Sequence, residues 1–288
     1  MEQFINDFNI IRDPFFATIV LAAVLAFLGV HVILRRIVFV GIALSEMSSL
    51  GIAASFFLER FEWTKPGNIL QFTREHLAMG TIFNLVGLAF LTPGESRRLS
   101  RETRIAICFA AAGAIAILLV SGSDHAMDEI RALMVHDPLF ISHQDRTIVF
   151  YSMIPAFGLL ILFFRRFLLV GYDRELALSL GVHARQWDTF FYLLLGTAIA
   201  MAIHLSGVLF AIGFLVLPGA TALTIARKPW AIFTIATAVG ILSAVAGFII
   251  GHAGDLALGP TTVALTFFIF MMAKAFVSAA RWFRRAPR

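Results

Sequence analysis

The chain has 288 residues, of which 59% are hydrophobic and 14% charged, with a formal charge of +5. A soluble globular domain carries about 25% charged residues, so the composition excludes that class and predicts an all-α, polytopic helical membrane protein. Where charges lie matters more than their sum in such a protein, so the basic balance is no nucleic-acid signal, and a single cysteine, Cys108, excludes an intrachain disulfide.

Apolar stretches at 15–34, 39–58, 77–92, 105–120, 147–164, 189–206, 208–226, 231–251 and 260–279 predict about nine spans, within a range of eight to ten. The N-terminal MEQFINDFNIIRD lacks the basic region of a cleavable signal peptide and reads as mature protein. The second span, FVGIALSEMSSLGIAASFFL, carries Glu46 amid Ser45, Ser48 and Ser49. A charge at that depth costs at least ~2.5–3.5 kcal/mol, so it calls for a partner or a polar cavity. The structural alternative is a neutral Glu46 hydrogen-bonded to the serines.

Basic residues punctuate the spans: Arg35 and Arg36 follow the first, Arg97, Arg98, Arg101 and Arg104 the third, Arg165 and Arg166 the fifth, Arg227 and Lys228 the seventh. With the N-terminus outside and the C-terminus in the cytoplasm, all of the 23 Lys and Arg fall on the inner side except Arg12, Arg60, Lys65, Arg74, Arg131 and Arg146. This is a positive-inside pattern. The outer loop 121–146 is rich in His and Asp. The inner segment 165–188 is polar, and from Asp173 to Leu180 it reads as a short helix at the membrane's inner surface, with Asp173 as N-cap and Leu176 and Leu180 on one face, either an interfacial connector or a docking element for a soluble partner. Residues 189–226 have no polar loop, only Ser206–Gly207, which predicts a tight hairpin or a broken, re-entrant element. Gly247 and Gly251 form a G-x-x-x-G pair suited to close helix packing.

The chain carries no G-x-x-x-x-G-K-[ST] phosphate loop, no H-E-x-x-H and no cysteine pair at zinc spacing. Energy for active transport would therefore come from another subunit.

Four segments, in order, resemble the permease subunits of the ATP-binding-cassette importers for zinc, manganese and iron. They are LGVHVILRRIVFVGIALSEMSSLGIA (28–53), GYDRELALSLGV (171–182), SGVLFAIGFLVLPGATALTIAR (206–227) and GDLALGPTTVAL (254–265). The second is similar to the family's Phe-Asp-x-Glu-x-Ala-x-x-x-Gly helix. The resemblance implies a single permease domain over 1–288, in a multi-pass prokaryotic plasma membrane protein that pairs as a homodimer. It also implies a cytoplasmic ATPase that holds the ATP, and an extracytoplasmic solute-binding protein that delivers a divalent metal ion. Nothing is bound permanently. The segment 165–188 would be the coupling element, with Asp173, Glu175, Leu176 and Gly181 meeting the ATPase.

One departure stands out. Family members often place Asp and His four residues apart in the second span, as in Gly-Asp-Ala-Leu-Ser-His-Ala, where they are implicated in holding the metal. Here those positions are Ile42 and Glu46. Glu46 is the first candidate ligand, since carboxylate oxygen suits zinc, manganese and iron alike. His204, beside the Ser206–Gly207 join, is the second, and His31 the third. His252 and Asp255 read as an outer entrance, and Pro218 as a break that permits a gate. In the outer loop, Asp124, His125, Asp128, His136, Asp137 and His143 are weaker candidates for metal capture. The rival functions are a permease for a metal chelate or other larger solute, a stand-alone proton-coupled carrier using Glu46, and a non-transporting scaffold.

Overall fold

A computed structural model describes residues 2–60, 69–91, 101–121, 138–141 and 143–285, and their regular elements are all helical. In chain order they are α1 (Glu2–Leu34), α2 (Val38–Arg60), α3 (Ile69–Leu91), α4 (Arg101–Val120), a 3-10 turn (Pro138–Phe140) and α5 (His143–Leu162). Then come α6 (Phe164–Tyr172), α7 (Arg174–Ser179), α8 (Ala184–Ile225), α9 (Pro229–Ala253) and α10 (Leu258–Arg285).

Seven of these helices are long and apolar enough to cross a membrane, and Ala78–Leu91 in α3 is a shorter apolar helix. Helix α1 is central: 72% of its span is buried, against 11% for α10. It packs on α8, α9 and α5, while α2 packs on α3, α4 and α8, and α10 covers α8 and α9. Close approach is set by bare backbone. A Cβ at Gly29 of α1 would stand 1.8 Å from the Leu215 carbonyl oxygen, and one at Gly247 of α9 would stand 2.6 Å from the Thr262 Cα of α10. Gly247 therefore packs as the G-x-x-x-G pattern predicts.

The 42 residues of α8 would extend about 63 Å as one straight helix, twice the hydrocarbon thickness of about 30 Å. Both of its ends nevertheless reach the same level of α1. Asp188 pairs with Arg35, and Gly219 lies against Ile33 and Val30. In an unbroken helix those two residues would be about 46 Å apart, so the chain reverses between them. The reversal is at Gly207, with φ 81° and ψ 168°, a region open essentially to glycine alone. The Ser206–Gly207 join is thus a reversal between arms 184–206 and 208–225, about 34 and 27 Å long, lengths that suit the hairpin alternative. With α8 taken as two arms and the shorter Ala78–Leu91 included, the described residues hold nine apolar helical segments, in line with the about nine spans expected. Gly207→Ala is expected to cost about 1–3 kcal/mol, read as a lower melting temperature in detergent. An unchanged melting temperature would show that this residue does not hold the reversal.

Several boundaries differ from the sequence reading: α3 begins at Ile69, ahead of the expected 77, and α10 runs to Arg285, past the expected 279. Helix α1 starts at Glu2 and runs through Pro14, beyond the expected start at 15, because its polar first turns lie ahead of the apolar stretch. The segment 165–188 holds two helices: α6 precedes α7 because Phe164, Phe167 and Val170 recur every third residue and are buried.

Candidate functional site

Helix α2 places Glu46 on the side that meets α4. The residue is half-buried, and its Oε2 lies 3.2 Å from the point where a Cβ on Gly113 would stand. Gly113 thus leaves the room that the carboxylate occupies. Two of the surrounding serines are spent on their own helix: Ser45 Oγ donates to the Ile42 carbonyl at 2.6 Å, and Ser49 Oγ to the Ser45 carbonyl at 3.1 Å, while the buried Ser48 Oγ lies toward Gly80 of α3 and meets no hydrogen-bond partner. Ile42, one turn earlier, offers no donor atom. The site is a carboxylate between two helices at membrane depth, able to attract a cation or a proton.

The other candidates lie apart. His31 is 1% exposed, ringed by Phe27, Phe164, Phe167, Phe191 and Phe233 at centroid distances of 4.5–6.1 Å, and its Nε2 meets no hydrogen-bond partner. Its neighbours come from α1, α6, α8 and α9, whereas Glu46 faces α4. His204 is half-buried on the first arm of α8, one turn before the Gly207 reversal. Pro218 is buried in the second arm. His252 lies in the last turn of α9. Asp255, exposed at φ 50°, ends that helix in the left-handed conformation, and Leu256 N–H reaches back to the Gly251 carbonyl at 2.9 Å. Asp124, His125, Asp128, His136 and Asp137 lie outside the described residues. His143 is at the start of α5, where its Nδ1 is 2.8 Å from Asp13 Oδ2, with Arg146 on the other oxygen. Among the described residues no three His, Cys, Asp or Glu side chains gather closely enough to hold a metal ion.

The end of the bundle that carries Arg35, Arg165, Arg166, Arg227 and Lys228 holds the second feature. Asp173 caps α7: its Oδ1 accepts from Leu176 N–H at 2.9 Å. Gly181, at φ 75°, stops the helix. There Gly181 N–H donates to the Leu178 carbonyl at 3.0 Å and Val182 N–H to the Ala177 carbonyl at 2.9 Å, the two bonds of a Schellman motif. A helix of six residues is marginal alone, so these caps hold it. Glu175 is exposed in the first turn. Leu176, Leu178 and Leu180 are 46%, 57% and 63% exposed, an apolar surface on an otherwise polar segment.

Sequence reasoning read Arg35 only as a flanking charge and passed over Asp188 and Gly113. Arg35 Nη1 donates to Asp188 Oδ1 at 2.7 Å and Nη2 to the Phe167 carbonyl at 2.9 Å. Burial pulls the guanidinium below its usual pKa, and Asp188 pulls it back up. The pair is separated by 153 positions, and no local pattern announces it.

A model described as the ABC 3 transport family matches residues 7–277. The high-affinity zinc uptake system membrane protein ZnuB of Haemophilus influenzae is 24% identical over 265 residues, covering 92% of this chain and 97% of that protein. The manganese import system permease protein ScaB of Streptococcus parasanguinis is 23% identical over 275 residues, covering 95% of this chain and 92% of that protein. Other relatives at similar identity carry iron in their names. PsaBC from Streptococcus pneumoniae, solved with a Fab, superposes with a TM-score of 0.81 at 21% identity, covering 94% of each chain. The fold is shared along nearly the whole length.

Proposed function

The chain belongs to the ABC 3 transport family, and on that premise we propose that it is the permease subunit through which a divalent zinc, manganese or iron ion is imported, driven by a separate ATPase. Its relatives are membrane proteins of metal transport systems, and this chain is a multi-pass permease of that kind. The finer reading has the N-terminus outside, the C-terminus in the cytoplasm and two copies forming a homodimer. A solute-binding protein delivers the ion from outside. The ion passes Glu46, with His204 as a second ligand on the route, His252 and Asp255 near the entrance, and Pro218 in the arm that gates it. His31 is the third candidate ligand.

The observation that carries the ATP-driven reading over a lone carrier is α7. This six-residue helix, capped at both ends, holds three leucines out of the bundle, and a soluble partner seated there would cover them, where an interfacial connector would leave them to the membrane surface. As a docking surface, with Asp173, Glu175, Leu176 and Gly181 at its contacts, it is accounted for. The test is uptake into proteoliposomes holding this chain, its ATPase and its binding protein. Uptake that persists without the ATPase would sink the reading. Asp173→Ala removes the cap, worth about 1 kcal/mol. Binding of the ATPase is then expected to weaken roughly fivefold, measured by titration of the purified subunits.

A permease for a metal chelate is the second reading, and Ile42 favours it, since the second span presents one ligand where two are usual in the family. A panel of free ions and chelates in the same assay separates the two.

A further inference from the structure

We propose that Arg35 is the positioning residue that ties the α6–α7 segment to the transport helices and fixes the register in which displacement of α7 reaches α1 and the first arm of α8. The proposal rests on the reading of α7 as the ATPase-docking element.

Three elements meet on this side chain, which is 6% exposed. Its two terminal nitrogens divide between Asp188 of α8 and the Phe167 carbonyl of α6. Its carbon lies 4.2 Å from the Phe191 ring centroid on α8. Its stem fills the space left by Gly171 of α6, where a Cβ would stand 2.7 Å from Nε. The planar fork suits this division, because a lysine offers one compact charge where two directions are needed.

The base of the side chain is equally fixed. Arg36 holds φ 55°, rare for a residue with a side chain. Arg36 N–H donates to the Ile33 carbonyl and Ile37 N–H to the Val32 carbonyl, each at 3.0 Å. These are the two Schellman bonds, here built without glycine. Arg35 therefore leaves the end of α1 in one direction.

On the other side, α6 and α7 are separated by Asp173 alone. Asp173 N–H donates to the Leu169 carbonyl of α6 at 3.0 Å while its side chain caps α7. Val170, Ala177 and Ala184 pack together across α6, α7 and the start of α8. A push on α7 is thus passed to α6 as a unit; the rings of Phe27 and His31 already pack α1 on Phe164 and Phe167 of α6, and Arg35 adds the directional bonds that set how the two meet. Stability alone does not ask for this charge, since apolar side chains of similar volume serve a buried site as well or better. What the ion pair adds is a defined register among three helices.

The test uses the complete complex of permease, ATPase and binding protein in proteoliposomes, and reads ions transported per ATP hydrolysed. Arg35→Lys is expected to lower that ratio roughly tenfold, with ATPase binding and hydrolysis within about twofold of the native complex. Gly171→Ala displaces the guanidinium without removing its charge and is expected to do the same. It carries the test if Arg35→Lys does not fold. Asp188→Asn should uncouple likewise, and Asp188→Glu should keep at least half the native ratio. If transport and hydrolysis fall by the same factor, leaving the ratio unchanged, Arg35 is only structural and the proposal is overturned. If the ATPase binds a Leu178→Glu chain as tightly as the native one, the docking reading fails, and the proposal fails with it.

Discussion

Glu46→Gln is expected to lower metal uptake at least about tenfold while leaving assembly with the ATPase intact. The substitution preserves shape and removes charge. Removing groups that merely support a metal ligand costs about 10–100-fold in affinity, and a carboxylate that touches the ion should cost no less. The location argues for a role as well, because a charge at this depth is held against a cost of ~2.5–3.5 kcal/mol or more. Ser45 and Ser49 donate to α2 carbonyls, and Ser48 Oγ lies toward Gly80 of α3 while Glu46 lies toward Gly113 of α4, so none of the three is bonded to the carboxyl. Gly113→Val provides a control on place: it fills the space 3.2 Å from Oε2, and should depress uptake with the charge still present. Normal uptake by Glu46→Gln would falsify the site assignment and leave the family assignment standing.

Gly29→Ala is expected to give the largest loss of stability. The new Cβ would meet the Leu215 carbonyl oxygen at 1.8 Å and its carbon at 2.7 Å, where ordinary contact begins near about 3.5 Å. Helix α1 and the second arm of α8 would have to separate along their length. Overpacking typically costs about 1–3 kcal/mol and occasionally more, and here the obstacle is backbone, so a loss above that range is expected. The measurement is the yield and melting temperature of purified protein. Trimming the opposing side chain, Leu215→Ala, should not restore the double variant. Recovery on trimming would mean that side-chain crowding, not helix separation, sets the cost.

The parts of this fold that were legible in the sequence are those with local causes. A bilayer demands long apolar runs, so the spans could be read. The Asp173 cap could be read because it acts within a few residues of itself. Glu46 was conspicuous because charge is costly among apolar neighbours. The reversal at Gly207 was legible only as a place, since a turn made by one glycine inside apolar sequence has no polar loop to announce it. Three relations could not be read at all: Glu46 against Gly113, Arg35 against Asp188, and His31 inside its ring of phenylalanines. Each joins residues from different helices, and the packing of helices, not the order of residues, decides who meets whom.

The one cysteine of the chain, Cys108, is buried on α4. Thiol-directed dyes and spin labels depend on reaching an exposed sulfur. The natural chain is therefore its own quiet background for such chemistry. A thiol introduced on the leucine face of α7, or beside the end of α1, would report alone, with no native residue removed to make it so.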